Sequence, residues 1–404
     1  MRATEYSRVP QRHRIAKWES SVLRMHTSGY VMERKPRISS GLGILFRPEP
    51  GPLVHPSETH NPEEHLRVRQ GEDVGDIPPV GDEDHAARGV DAEDQCGACG
   101  GDGGAICVWR GWLCGERYSF QGKMIYPSSM PPGSREKVPR PSEFDMKDWE
   151  EIELTAPDQV VTKAFLILAA RRAEKPLSGK TLEDWRRSRP TVLMLHANAG
   201  NVGHRLPIAK ILVEQFECNV VAISYRGYGH SSGTPSEKGI LLDAQTAVEY
   251  IKSHPLLESS PLFLYGQSLG GAVAVALASD RINKGRITGV ILENTFANLR
   301  KLIPVVMPLI GPLAFLCHQT WYSDRRMRQM AGGAEAPAFL FLSGTKDDLI
   351  PTPHFRILYD LCPSTQKRWK AFKEGTHNDT CLQKDYFPTM GSWIEEIYLG
   401  LKKF

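Results

Sequence analysis

The sequence predicts an α/β protein whose central sheet is mostly parallel and carries helices on both faces. From residue 150 onward, short apolar runs alternate with longer amphipathic stretches, a pattern typical of strands and helices in such a sheet. Most of the apolar runs lack polar alternation, as expected of strands that are covered on both faces. The chain has 404 residues and is 41% hydrophobic, which is enough for one sizeable core.

The expected elements follow in order along the chain. A hairpin should open the sheet, with strands at Glu153–Thr155 and Val160–Leu168. Further apolar runs predict strands at Thr191–Leu195, Asn219–Ser224, Pro261–Tyr265, Ile287–Leu292, Pro337–Leu342 and Arg368–Phe372. The stretches between them predict helices at Gly203–Phe216, Ser236–Ser253, Leu269–Asn283, Thr352–Leu361 and Asp385–Leu399. Ligands in such a sheet bind beyond the carboxyl ends of the strands, so functional residues are sought there.

Composition excludes several classes of protein. Lys and Arg number 50 against 47 Asp and Glu, giving a net charge of +3, which argues against a strongly basic nucleic-acid binder. No run reaches the roughly 18 apolar residues that a conventional transmembrane helix needs. Eight cysteines in a chain of this length are too few for a scaffold built on disulfides.

The first 104 residues differ from the rest. Residues 1–47 contain ten Lys and Arg against three Asp and Glu, whereas residues 58–94 contain twelve Asp and Glu against three Arg. Blocks of low hydrophobicity cannot bury enough surface to offset their ordering entropy. We therefore expect residues 1–104 to be a disordered or atypical extension, residues 105–149 a linker and lead-in, and residues 150–404 the folded domain.

Four cysteines near this boundary raise the question of a metal site. Cys96 and Cys99 form one Cys-x-x-Cys pair, but Cys107 and Cys114 are separated by six residues, which is not a zinc-knuckle spacing. The glycine-rich surroundings offer little framework to position ligands. We expect free cysteines in a flexible segment, and no metal or other cofactor.

Ser268 is the candidate nucleophile. The strand Pro261–Tyr265 runs into Gly266-Gln267-Ser268-Leu269-Gly270-Gly271 and then into a helix of small residues. Glycines two residues before and two after a serine suit a tight strand-to-helix turn that lifts the hydroxyl out of the sheet. The start of the helix behind the serine also supplies N–H groups for a developing oxyanion.

A serine hydroxyl needs a base, and the base needs an acid to orient it. Asp347 lies just beyond the strand Pro337–Leu342, and His377 lies in the loop after the last strand, where it can reach Ser268. Other carboxylates compete for the role of the acid. They are Asp348 beside Asp347, Glu293 at the end of the preceding strand, and Asp379 two residues beyond His377. We assign Asp347 as the acid, Asp348 as a solvated loop charge and Glu293 as a structural hydrogen-bonding group.

The loop His196–Asn201 closes another strand and is a candidate for the second oxyanion donor. In hydrolases of this shape one donor comes from this loop and one from the residue after the nucleophile. We assign the backbone N–H groups of Leu269 and Asn198 to these roles. His196 is expected to brace its loop without catalytic protonation, and the Arg226–Gly233 loop to shape the site.

Together these motifs resemble the α/β-hydrolase superfamily, and within it the Bem46-like family, from about Phe120 to the end of the chain. The motifs that carry the resemblance are Phe120–Pro127, His196–Asn201, Arg226–Gly239, Gly266–Gly271, Glu293–Phe296, Ser343–Pro351 and Gly375–Asp379. The resemblance implies a serine hydrolase with Ser268 as nucleophile, Asp347 as acid and His377 as base. It also implies an intracellular, membrane-associated protein, although Ala105–Cys114 is too short and too polar to be a membrane span.

An apolar segment bears on the substrate. Leu302–Cys317 contains three prolines and therefore cannot form a straight spanning helix. It lies where such folds insert a cap, which we expect at about residues 297–330. The segment could line an acyl channel, with Leu309 and Phe315 as candidate contacts, or pack onto the core; it could also touch a bilayer surface.

These observations predict a hydrolase acting on an ester or thioester of an apolar acyl group, of the acyl-protein thioesterase or lipid-esterase type. The expected partners are a lipid or acylated protein, with contact to a membrane surface and none to nucleic acid. Two alternatives remain open, a peptidase resembling serine aminopeptidases and a non-catalytic scaffold for binding or polarity signalling.

Overall fold

The computed structural model describes residues 121–401, apart from 173–176, 178 and 334. The extension expected over residues 1–104 and the four cysteines at 96–114 lie outside the described residues. Eight strands form one sheet: β1 Trp149–Thr155, β2 Val161–Ile167, β3 Thr191–Leu195, β4 Asn219–Ser224, β5 Leu262–Gln267, β6 Gly289–Glu293, β7 Ala338–Gly344 and β8 Lys367–Phe372. Their order across the sheet is β1-β2-β4-β3-β5-β6-β7-β8.

The sheet is antiparallel at one edge and parallel elsewhere. β2 pairs antiparallel with β1 and β4, and every other neighbouring pair is parallel. All residues of β3 to β7 are buried, which explains why these strands are apolar on both faces. The predicted fold class, a mostly parallel sheet with helices, is confirmed.

Helices accompany the sheet, and residues 121–125 are also helical. The helices with both ends described are numbered here in chain order. They are α1 Leu182–Arg187, α2 Leu206–Glu214, α3 Glu237–Ser253, α4 Leu269–Ser279, α5 Leu299–Val306, α6 Ser323–Gln329, α7 Thr352–Leu361 and α8 Tyr386–Leu401. The buried side chains of α2 and α8 pack with one face of the sheet, and those of α3, α4, α6 and α7 with the other. Of the helices that the structure describes, none is both long and apolar enough to cross a bilayer.

Short helical elements occupy the segment where a cap is expected. α5, a 3₁₀ segment at Pro308–Leu316 and α6 occupy the connection between β6 and β7. The sequence pattern did not predict these helices, because Pro304 and Pro312 interrupt the apolar periodicity. It also missed α1, a single six-residue helix capped by the Thr181 side chain.

The described part of the expected linker, residues 121–149, packs as part of the domain. The Gln121 side chain donates to the Leu316 carbonyl at 2.9 Å and accepts from the His318 N–H at 3.1 Å. The buried Tyr126 hydroxyl donates to Gln319 at 2.8 Å and accepts from the Trp321 indole at 2.9 Å. Side-chain hydrogen bonds therefore attach residues 121–126 to the cap.

Candidate active site

Ser268 occupies the tight turn between β5 and α4. Its backbone has φ 54° and ψ −117°, a conformation that side chains rarely adopt. A Cβ atom at Gly266 would lie 2.2 Å from the Gly270 carbonyl oxygen, and one at Gly270 would lie 2.0 Å from that of Leu195. The glycines around Ser268 are therefore required by close backbone contacts on both sides of the turn.

The structure brings the three residues of the expected triad together. His377 Nε2 lies 3.1 Å from Ser268 Oγ, and His377 Nδ1 lies 2.8 Å from Asp347 Oδ2. Asp347 Oδ1 accepts from the N–H groups of Leu349 and Ile350 at 3.0 and 2.7 Å. These two bonds orient the carboxylate toward the imidazole, so its second oxygen remains directed at His377.

The competing carboxylates lie elsewhere. Asp348 is exposed, and Asp379 accepts the Thr376 N–H at 2.6 Å within its own loop. Glu293 is fully buried and accepts from the hydroxyls of Tyr265 and Tyr386. Burial raises the pKa of the Glu293 carboxyl. Among the carboxylates that the structure describes, Asp347 is the one hydrogen-bonded to the His377 ring.

The two expected oxyanion donors border the same cavity as Ser268. The backbone N–H groups of Leu269 and Asn198 have no hydrogen-bond partner among the described residues. Asn198 is held in place by two other groups. Its backbone carbonyl accepts from the Tyr228 hydroxyl at 2.8 Å, and its side-chain amide donates to the Ile125 carbonyl at 3.3 Å. Two backbone donors without a partner among the described residues thus belong to residues that line the cavity.

His196 is a buried member of the loop that carries Asn198. Its Nδ1 lies 2.7 Å from the Ala197 carbonyl oxygen, its Nε2 accepts from the Tyr225 N–H at 3.4 Å, and its ring packs against Tyr225 and Tyr228. Burial lowers the pKa of His196 to about 3. The ring is therefore neutral at ordinary pH, and both of its nitrogen atoms contact backbone groups of the protein.

The Arg226 loop is held by an ion-pair cluster in which Arg226 and Asp243 are buried and Asp158 is exposed. The Arg226 guanidinium donates to Asp158 at 2.6 and 3.0 Å and to Asp243 at 2.9 and 3.0 Å. Buried charges of this kind need such pairing. The same loop supplies Tyr228, whose hydroxyl bonds Asn198, so the loop shapes the site through that contact.

A cavity of about 650 Å³ opens above Ser268. Its lining comprises Gln121, Met124, Ile125, Asn198, Ser268, Leu269, Phe296, Leu299, Leu302, Ile303, Val306, Met307, Ile310, Leu313, Ala314, Leu316, Cys317, Leu349 and Ile350. None of these side chains is charged.

Leu309 and Phe315, the candidate channel contacts, are absent from this lining and are 97% and 65% exposed. The channel alternative was therefore wrong for these two residues, because the 3₁₀ segment turns their side chains outward.

Two side chains that contact the base loop were not assigned from the sequence. Gln267 and Asn294 both donate to the His377 carbonyl, at 3.3 and 3.4 Å. Gln267 belongs to the motif Gly266–Gly271 and Asn294 to the motif Glu293–Phe296, each at the end of a strand. This position is the sequence feature that could have drawn attention to them. Among the described residues, no group of three His, Cys, Asp or Glu side chains could hold a metal ion.

Comparison with known proteins identifies the family. The protein bem46 of Schizosaccharomyces pombe is 43% identical over 283 residues, covering 70% of this chain and 88% of that protein. A Saccharomyces cerevisiae protein named as an uncharacterized membrane protein is 38% identical over 279 residues, covering 69% of this chain and 90% of its own length. This chain belongs to the Bem46-like α/β-hydrolase family.

Two further similarities agree with membership of the Bem46-like family. A family model described as serine aminopeptidase, S33, matches residues 186–331. The crystal structure of an α/β hydrolase from Vibrio vulnificus matches with a TM-score of 0.54 at 18% identity, covering 68% of this chain and 92% of that one. At that identity the structural match concerns the fold. The family supports a hydrolase as the general activity.

Proposed function

We propose that this protein is a serine hydrolase that cleaves an ester or thioester of an apolar acyl group. The observation that carries the proposal is the continuous hydrogen-bond chain Ser268–His377–Asp347 at the base of an uncharged apolar cavity. A nucleophile, its base and the group that orients the base are the parts that acyl transfer requires.

Each residue has a defined role in the proposed reaction. Ser268 Oγ attacks the acyl carbonyl while His377 Nε2 accepts the hydroxyl proton, and Asp347 stabilises the resulting imidazolium. The N–H groups of Leu269 and Asn198 donate to the oxyanion of the tetrahedral intermediate. His377 then gives the proton to the departing alcohol or thiol, leaving an acyl-Ser268 ester. Water, deprotonated by His377, attacks this ester and releases the acid and the free serine.

The cavity lining favours an acyl group over a charged substrate. Its uncharged, largely aliphatic wall suits a long hydrocarbon chain, so we infer that a lipid ester or an acylated protein is the substrate. An aminopeptidase must neutralise the ammonium group of its substrate, and no carboxylate lines the described cavity. The complete hydrogen-bond chain disfavours a non-catalytic scaffold.

The activity is tested with p-nitrophenyl esters, acyl thioesters and amino-acid anilides. Wild-type protein should hydrolyse the long-chain esters or thioesters in preference to the anilides. Ser268→Ala and His377→Ala should each lower kcat on the order of 10⁴-fold or more. Asp347→Asn should also lower kcat by orders of magnitude, whereas the adjacent exposed control Asp348→Asn should leave it unchanged. Equal losses in the two Asp variants would contradict the acid assignment.

We also propose that the substrate is taken from the surface of an anionic bilayer. Residues 304–310, the cap tip, are all apolar and all exposed. Ile310 of the cap tip also lines the cavity, so the exposed apolar surface continues into the proposed acyl site. The exposed Arg300 and Lys301 lie one helical turn earlier on α5. Arg300 donates to the Cys317 carbonyl at 3.1 Å and Lys301 pairs with Asp324 at 2.8 Å, and we infer that the exposed parts of both side chains also meet anionic headgroups. The similar yeast protein is itself named as a membrane protein.

Vesicle flotation tests the membrane proposal. The full chain should float with vesicles of phosphatidylserine and phosphatidylcholine more strongly than with phosphatidylcholine alone. Leu309→Asp should weaken this binding, because it places a charge at the most exposed apolar position of the cap tip, yet retain turnover of a soluble short ester. Ile282→Asp, at an exposed isoleucine outside the cap, serves as the control. Undiminished binding by Leu309→Asp would contradict the proposal.

A further inference from the structure

Asn294 lies immediately after β6 in an unusual conformation. Its φ is +45°, in the left-handed region that asparagine tolerates better than most residues. The residue is 2% exposed, and its N–H donates to the Leu342 carbonyl of β7 at 3.3 Å. This conformation directs the side chain into the space between the loops that follow β7 and β8.

One side of the Asn294 amide contacts the loop of the base. Its Nδ2 donates to the carbonyl of Thr376 at 3.1 Å, to the hydroxyl of Thr380 at 3.0 Å and to the carbonyl of His377 at 3.4 Å. The Thr380 hydroxyl in turn donates to the Thr376 carbonyl at 2.7 Å. The main chain that carries the imidazole is therefore bound to Asn294.

The other side of the amide contacts the strand that leads to the acid. Asn294 Oδ1 accepts the N–H of Gly344 at 2.8 Å, three residues before Asp347. Gly344 lies so close to the base loop that a Cβ atom there would be 2.3 Å from Thr380 Oγ1 and 2.6 Å from the Gly375 carbonyl. One buried amide therefore bonds both loops at the place where they approach each other.

We propose that Asn294 is a positioning residue that sets the separation of Asp347 and His377; this inference rests on the proposed hydrolase function. The imidazole has to meet the carboxylate on one side and Ser268 on the other, at 2.8 and 3.1 Å. Small displacements of a reacting group lower rates steeply. A side chain that donates to one loop and accepts from the other limits how far they can move apart.

Two variants of the full chain test the contacts of the Asn294 side chain. Asn294→Gly removes every side-chain bond while suiting the positive φ. Asn294→Asp keeps an acceptor for the Gly344 N–H but cannot donate to the base loop. Asn283→Ala is the matched control, because Asn283 is also buried and its amide donates to Gln245 and to the Leu277 carbonyl. It lies beyond α4, and its bonds do not involve the triad.

We measure kcat and KM, with the concentration of active sites determined by titration with a fluorophosphonate. Thermal unfolding is measured alongside. Asn294→Gly and Asn294→Asp should lower kcat about 10²-fold and leave KM nearly unchanged, because Asn294 does not line the cavity. Asn283→Ala should lower Tm while kcat stays normal. If both Asn294 variants keep the wild-type kcat and only their Tm is lowered, the positioning role is overturned. If wild-type turnover is independent of Ser268, the proposed function itself fails.

Discussion

Ser268 owes its placement beside His377 to backbone contacts. Its conformation is one that costs about 1–3 kcal/mol and persists only where neighbours hold it. Its N–H donates to the Glu293 carbonyl at 2.9 Å, and the Thr295 hydroxyl donates to its carbonyl at 2.7 Å. The last residue of β6 and the segment after it therefore help to hold the strained turn.

His196 gives a residue-level prediction about acid stability. Its folded-state pKa of about 3 is below the ordinary 6.5, so between these values the unfolded chain binds a proton that the folded chain excludes. Stability should therefore fall as the pH is lowered from about 6.5 toward about 3. His196→Asn should reduce this pH dependence of the free energy of unfolding, measured by urea denaturation. The control His230→Asn alters an exposed histidine. Parallel curves for wild type and His196→Asn would contradict the account.

The catalytic candidates were accessible from the sequence, whereas the residues that position them were not. Ser268, Asp347 and His377 each follow a recognisable strand, and the carboxyl ends of parallel strands meet at one edge of a sheet. The role of Asn294 depends on carbonyl and hydroxyl groups 82 to 86 residues away. The motif at the end of β6 indicates where Asn294 lies, but no local pattern identifies which distant groups it contacts.

At the scale of elements, the strands were predictable and the cap was not. β3 and β4 begin and end where the apolar runs do. β1 begins at Trp149, four residues before the expected start, because the charged residues of this edge strand are largely exposed and conceal the pattern. In the cap, prolines divide a continuous apolar run into short helical pieces with one lining side and one exposed side.

Adjacent residues of the cap test the acyl-channel hypothesis. Ile310 lines the cavity, whereas Leu309 beside it does not. Ile310→Ser should lower kcat/KM for palmitoyl esters relative to acetyl esters by about fivefold to tenfold, since each buried methylene contributes about 0.8 kcal/mol. Leu309→Ser should leave this chain-length preference unchanged. Thermal unfolding is measured alongside. If Ile310→Ser instead lowers Tm and turnover of all chain lengths equally, the cap only packs onto the core.

At the scale of the whole molecule, the sheet gathers distant residues. Ser268 and His377 are separated by 109 residues along the chain, yet the parallel order of β5 to β8 brings their loops to one edge. This convergence follows from the fold class and was predictable. The attachment of residues 121–126 to the cap was not, because it depends on polar side-chain contacts such as Tyr126 with Gln319 and Trp321.

The central claim is that Ser268 is an activated nucleophile, and covalent labelling of the full chain tests it most directly. The protein is treated with a fluorophosphonate, digested, and the modified peptide is located by mass spectrometry. We predict one adduct per chain, on Ser268, with loss of labelling in Ser268→Ala and strongly slowed labelling in His377→Ala. Absence of an adduct on Ser268 in folded protein, or undiminished labelling of Ser268→Ala, would contradict the account.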